Sequence, residues 1–491
     1  MSAIAKLFKA SAWLTVSGVV SKLASLLTIP ILARLLLPEG LGIYNIVFSL
    51  AQSAQGFGSL GVNVAMERNG AQHKTIGTQA VGRLFGVGLV TVCLVNIITG
   101  LGVWLFREPL AQHWLGQASV APMLGWTAIL IGLQPLGNMP LLFLASLQEF
   151  RAYALRSSLG IVFSSIVTVL LAWQMGLTGA ILGMVLAAIA QIFWSCVIVK
   201  PVLQARDIRL RCDRFYQELV SILKFGFPYY LGNTLLGSLV GLPLMGLVSQ
   251  YGGLEQLGYL RVAQSMAALI GFIPSAIAPA AISYLSASSV ADKQSYQHLK
   301  SIHLRGVWIL LLVPTGAVCQ ILPNLIQLLF GGAYQQAVVL SWLCLWISLI
   351  AGVTSVLIQY LVVVGKTVRV TYASLVGVIF WLLSALVLVP RYSSLGFFIS
   401  QFIGQMAGFL CVIKPSLSDM SREDSLLLIK LMVITEIYFL FTLLVLLLPM
   451  VPIFSYLLSA IIFFMICLLL FKNTLYISEK SRIKKIFGIT T

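Results

Sequence analysis

The sequence predicts an all-α polytopic membrane protein: fourteen transmembrane helices, arranged as two six-helix lobes related by a pseudo-two-fold axis, with two extra C-terminal helices. Three observations predict this. Of 491 residues, 59% are hydrophobic and only 9% charged, where a soluble chain carries roughly a quarter charged residues. Apolar runs of about 20 residues, the length that crosses a hydrocarbon core of about 30 Å, recur from end to end. Lysine and arginine collect on alternate connections between those runs.

The elements follow in order. The first half holds apolar runs at 11–36, 40–62, 84–106, 120–147, 157–174 and 177–199. A polar, basic stretch at 200–224 reads as a cytoplasmic linker. The second half holds runs at 225–248, 257–285, 306–330, 338–364, 370–389 and 395–413. Two more, at 426–448 and 451–471, precede a basic tail. The expected divisions are a lobe at 1–199, the linker, a lobe at 225–415, a helix pair at 416–472 and a tail at 473–491. The runs are too long and too continuously apolar for the alternating strands of a membrane barrel.

With the N-terminus inside, nearly all of the 31 basic residues fall on inner connections or the tail, while Arg34, Arg107 and Arg391 mark outer ends. Both termini are then cytoplasmic, and no signal-peptide pattern precedes the first run. The net charge of +17 is spread over every inner loop, with no groove of cations interleaved with stacking aromatics. Nucleic acid is therefore not the expected partner. Attraction to anionic inner-leaflet lipid accounts for the charge. Most of the seven cysteines lie inside apolar runs, and the four histidines have no ligand spacing. No metal, disulfide or cofactor is expected. No polar segment is long enough for an aqueous catalytic domain, so the chain does not read as an enzyme.

Internal similarity recurs at an offset of about 216 residues. Lys9 corresponds to Lys224, Leu41-Gly42 to Leu257-Gly258, Trp126 to Trp342, Ser158-Leu159 to Ser374-Leu375, and Gly179 to Gly396. Two copies of a six-span unit enter the membrane in the same sense, because six is even. Their two-fold axis then runs along the membrane normal, with a substrate space between them.

Polar and small residues at helical spacing mark the faces that line this space. Span 1 offers Lys22 and Ser25, span 2 Asn45, Ser49 and Gln52, span 7 Asn233, and span 8 Arg261 and Gln264. Small and hydroxyl residues serve close helix packing equally well. The cations are the sharper signal: Lys22, roughly 16 Å into its span, is too deep to reach headgroups and should face a cavity. For Arg34 and Arg261, nearer the outer end, snorkelling competes with that reading. The twelve repeat spans contain no mid-span Asp or Glu, so the expected space is electropositive and its ligand an anion. Glu436, in span 13, either pairs with a neighbour, borders a lipid-tail groove or carries protons. Prolines such as Pro30, Pro135, Pro243 and Pro314 favour kinks within spans.

The stretch from Leu32 to Tyr44 (LARLLLPEGLGIY) and the stretch from Leu147 to Arg151 (LQEFR) resemble the polysaccharide flippases of the MOP superfamily, the O-antigen (Wzx-type) exporters. Leu37 stands where that pattern commonly has glycine. The resemblance implies the bundle of the multidrug (MATE) exporters and lipid II flippases. It also implies alternating access in the bacterial inner membrane and a cargo of isoprenoid-pyrophosphate-linked oligosaccharide. Implied partners are that lipid-linked oligosaccharide, membrane lipids and glycan polymerase or chain-length machinery. The lipid II flippase carries cavity cations on spans 1, 2 and 8; this chain matches on spans 1 and 8 and has no Lys or Arg on span 2. Alternatives are a cation-coupled multidrug exporter of the same superfamily, a membrane-embedded glycan polymerase or ligase, and an assembly scaffold.

Overall fold

Long apolar runs with few glycines at their centres leave the backbone no partner but itself in hydrocarbon, so each run closes its hydrogen bonds as helix. The computed structural model describes residues 3–63, 65–66, 77–230, 236–291, 293–364, 366–418 and 422–447, and among these it contains helices and no strand. In chain order they are α1 (Ala3–Gly58), α2 (Thr78–Leu105), α3 (Ala121–Ser146), α4 (Phe150–Ala205) and α5 (Phe215–Tyr230). Then come α6 (Leu236–Gly252), α7 (Leu254–Ala291), α8 (Lys293–Phe330), α9 (Ala337–Val363), α10 (Thr367–Leu417) and α11 (Arg422–Leu447). Eight of the described helices are long and apolar enough to cross a membrane.

Three helices hold two expected spans each, broken at one residue: Leu37 in α1, Gly176 in α4 and Ser393 in α10. The described parts of expected span 7 belong to α5 and α6, and expected span 14 lies outside the described residues. Several helices also begin earlier than the apolar runs: α4 starts at Phe150 and α8 at Lys293. Arg156, Lys300 and Arg305, read from the sequence as loop cations, are therefore helical and buried.

The chain forms two compact units. One comprises Met1–Ser265, Leu329–Leu340 and Ser374–Gly404; the other comprises Met266–Leu328, Ser341–Ala373 and Gln405–Thr491. The first has a core at one end of α2, α3 and α4, where Phe85 and Phe143 stack with ring centroids 4.3 Å apart. The segment after α4 is tied down there. Arg83 pairs with Glu218 at 3.1 Å, Arg206 pairs with Glu149, and the Arg211 amide donates to the Gly82 carbonyl. In the second unit α11 docks on α8 and α9 along one stripe. Trp308 donates to Thr435, Gln320 to the Tyr438 hydroxyl and Trp342 to Thr442. Glu436 lies off that stripe and is exposed.

The repeat reappears in the backbone. Six of the twelve described residues at positive φ fall in pairs about 216 positions apart: Leu37 (φ 60) with Gly253 (φ 82), Gly116 (φ 69) with Gly331 (φ 94), and Gly176 (φ 59) with Ser393 (φ 50). Side-chain room repeats too. A methyl group on Gly179 would meet the Leu171 carbonyl, and one on Gly396 the Leu388 carbonyl.

Candidate functional site

Of the residues expected to bind cargo, those the structure describes lie on α1 and α7, in the first unit. Within it, the two sequence repeats meet at the turns centred on Leu37 and Gly253. Gly42 lies against the Leu254 carbonyl, and Gly258 against the Pro38 carbonyl. These contacts exchange under the repeat offset, the signature of a two-fold interface in which a residue and its counterpart swap roles. A second reciprocal pair flanks them. Arg34 donates from Nε to the Leu329 carbonyl at 3.0 Å, and its counterpart Gln250 donates to the His113 carbonyl. Tyr334 adds a bond from its hydroxyl to the Ala33 carbonyl at 2.9 Å. This end of the repeat interface is closed by backbone-directed hydrogen bonds and glycine contacts.

Eight residues inward from each turn stand Asn45 and Arg261, repeat counterparts at the same depth of roughly 12 Å. They resolve the same position differently. Asn45 is fully buried and spends its amide on the Leu257 carbonyl at 3.2 Å, while Ser49 donates to its Oδ1 at 3.4 Å. Arg261 does not reproduce that bond. Its guanidinium lies over the Phe48 ring, 4.4 Å from the centroid, and its Nε is buried without a hydrogen-bond partner. An aromatic face attracts a cation without satisfying its N–H groups. A buried charged donor left unpaired is costly, so the position is poised to receive an acceptor.

Lys22 and Ser25 lie on the face of α1 that continues into the buried residues Ile29, Leu32, Ala33 and Leu36. The opposite face of α1, with Leu23, Leu27 and Ile31, forms an aliphatic groove with α4 of about 450 Å³. Lys22 is half-buried, and among the described residues no carboxylate pairs with it. Gln52 is exposed and Gln264 half-buried; Asn233 lies outside the described residues. Among the described residues no Asp or Glu is buried.

The sequence reading missed three buried cations. Arg156 joins α3 and both limbs of α4, donating to Ser195 Oγ at 2.8 Å and the Gly137 carbonyl at 2.9 Å. In the second unit Lys300 lies 5.3 Å from the Tyr360 ring centroid, and Arg305 donates to the Ser301 carbonyl. The available signal was helical continuity through 150–157 and 293–305, which contain neither proline nor glycine.

Residues 31–339 match the family described as "Polysaccharide biosynthesis protein". The succinoglycan biosynthesis transport protein ExoT of Rhizobium meliloti (strain 1021) is 27% identical over 246 residues, 49% of this chain and 46% of that protein. The chain thus matches about half the length of this curated relative. Among solved structures, the lipid II flippase MurJ in an inward closed conformation superposes with a TM-score of 0.70 at 13% identity, covering 93% of this chain and 97% of that one. An inward-facing multidrug resistance transporter of the MATE family superposes at 0.61 with 14% identity, covering 81% and 94%. These likenesses establish the fold.

Proposed function

Since the chain belongs to the polysaccharide biosynthesis protein family, we propose that it is a flippase of the bacterial inner membrane. Its cargo is an isoprenoid-pyrophosphate-linked oligosaccharide, carried from the cytoplasmic to the outer leaflet by alternating access between two six-span lobes. The observation that carries this reading is Arg261, whose buried Nε lacks an acceptor while its guanidinium rests on Phe48. A pyrophosphate oxygen supplies that acceptor, and Lys22, unpaired with any described carboxylate, adds the second positive charge. Asn45, Ser49, Gln52, Asn233 and Gln264 offer amides and hydroxyls to the sugar, and Ser25 extends the same lining. Arg34 meets the cargo only when the closed end opens and its bond to Leu329 is released.

The cycle needs no ion-coupling carboxylate. Moving about two negative charges outward, down an inside-negative potential of about 100 mV, is favourable by roughly 4–5 kcal/mol. The test is complementation of a strain lacking its own flippase. Lys22→Ala at normal protein level is expected to abolish export and Lys22→Arg to retain it. Undiminished export by Lys22→Ala would remove the site assignment. Transport of labelled lipid-linked sugar by reconstituted vesicles tests the activity directly.

A further inference from the structure

The two halves of the repeat differ at one buried position of the first. In the first half, between the limbs of α4, Arg156 fills the space with its own guanidinium and is 1% exposed. Its counterpart in α10 is Tyr372, which is 62% exposed, and the counterpart of its hydrogen-bond partner Ser195 is Val412, whose side chain has no hydrogen-bonding group. Tyr372 instead lines a pocket of about 390 Å³ together with Arg369, Cys411, Lys414, Pro415 and Ser418. Two cations 45 positions apart in sequence converge on it, and no described carboxylate lines it.

The surroundings identify the phase the pocket faces. Val368, Tyr372, Leu375 and Ile379 form one exposed stripe at helical spacing on the first limb of α10; Ile403 and Leu410 lead to Lys414 along another. Exposed aliphatic stripes on a membrane helix face lipid chains, and cations one or two turns beyond them sit at headgroup level. Charge bias assigns this end to the cytoplasmic side.

We propose that this pocket holds the headgroup phosphate of an anionic phospholipid from the cytoplasmic leaflet. Arg369 and Lys414 supply the charge, the Tyr372 hydroxyl a donor, and the two stripes a bed for the acyl chains. Basic pockets between membrane helices bind such headgroups. The site is separate from the cargo residues, and its test does not depend on transport.

The experiment uses the full chain in detergent titrated with phosphatidylglycerol or phosphatidylcholine, read by native mass spectrometry and by the melting temperature. Phosphatidylglycerol is expected to be retained and to raise the melting temperature. Arg369→Gln and Lys414→Gln should each weaken its binding about five-fold, the factor matching the contribution of one basic residue at a membrane surface. Arg369→Lys should retain most of it. The control is Arg209→Gln with Arg214→Gln, which removes two inner cations away from the pocket and should change nothing. Equal binding by the pocket variants overturns the proposal, as does an equal loss in the control or the same stabilisation by inorganic phosphate. Each variant's own melting curve without lipid shows whether it is folded.

Discussion

Leu37 and Gly253 make the same turn in the two halves, and only one of them is a glycine. At φ 60 and ψ 175, Leu37 occupies a backbone region that is essentially reserved for glycine. Such strain costs about 1–3 kcal/mol, and glycine's extra chain entropy offsets about 0.5–1 kcal/mol of any relief. Leu37→Gly is expected to raise stability by about 1 kcal/mol, measured as a higher melting temperature in detergent with transport unchanged. Ser393 poses the same question against Gly176. Arg261 illustrates a different residue-scale rule. Lysine would keep the charge but lose the planar face over Phe48 and the Nε donor. Arg261→Lys is therefore expected to lower transport about ten-fold with normal expression, and Arg261→Gln to lower it further. Equal activity of wild type and Arg261→Gln in vesicles would show that the guanidinium is not used.

At the scale of the helix, glycine contacts decide how closely elements meet. A side chain on Gly42 or Gly258 would drive into the facing carbonyl of Leu254 or Pro38. Because the two contacts are counterparts, Gly42→Ala and Gly258→Ala should behave alike. Each is expected to cost about 1–3 kcal/mol, read as a lower melting temperature and as easier cross-linking of cysteines placed on the opened end. Strongly unequal effects would argue against a shared two-fold interface. Gly316 does the same for the C-terminal element, since a methyl there would run into the Tyr438 ring. Gly316→Ala should loosen α11, exposing it to protease while the first unit keeps its stability. The carbonyls that Arg34 and Gln250 hold add direction to these contacts, because each hydrogen bond fixes one helix end against one connection.

For the whole molecule, the dominant physical fact is an apolar chain with positive charge at depth and no buried acid among the described residues. A membrane potential imposed on vesicles, inside negative, is then expected to speed outward movement of a pyrophosphate-linked cargo without a sodium or proton gradient. Loss of that response, with transport following a cation gradient instead, would point to coupled export. The family, the helical class and the repeat were all legible before any coordinates. Span length follows from bilayer thickness, and LARLLLPEGLGIY encodes a helix end, a turn and a helix start. The offset of about 216 was visible in side chains such as Gly42 and Gly258 and returned in the φ angles. Helix boundaries were less legible, because a helix continues past the apolar run that a hydrophobicity reading can see. That is why Arg156, Lys300 and Arg305 were read as loop residues.

The sequence by itself determined what is local or periodic: helices where water cannot satisfy the backbone, two like halves, and cations within spans 1 and 8. The tertiary structure decided which of two equivalent positions is satisfied. Asn45 and Arg261 stand at the same level, yet the first finds the Leu257 carbonyl and the second leaves a donor open over Phe48. It likewise decided that Arg156 is buried on Ser195 and Gly137 while its counterpart Tyr372 is exposed and lines a pocket. The reason is the same in both cases. Hydrogen-bond satisfaction depends on partners 19 to 212 residues away, brought within about 3 Å only by packing.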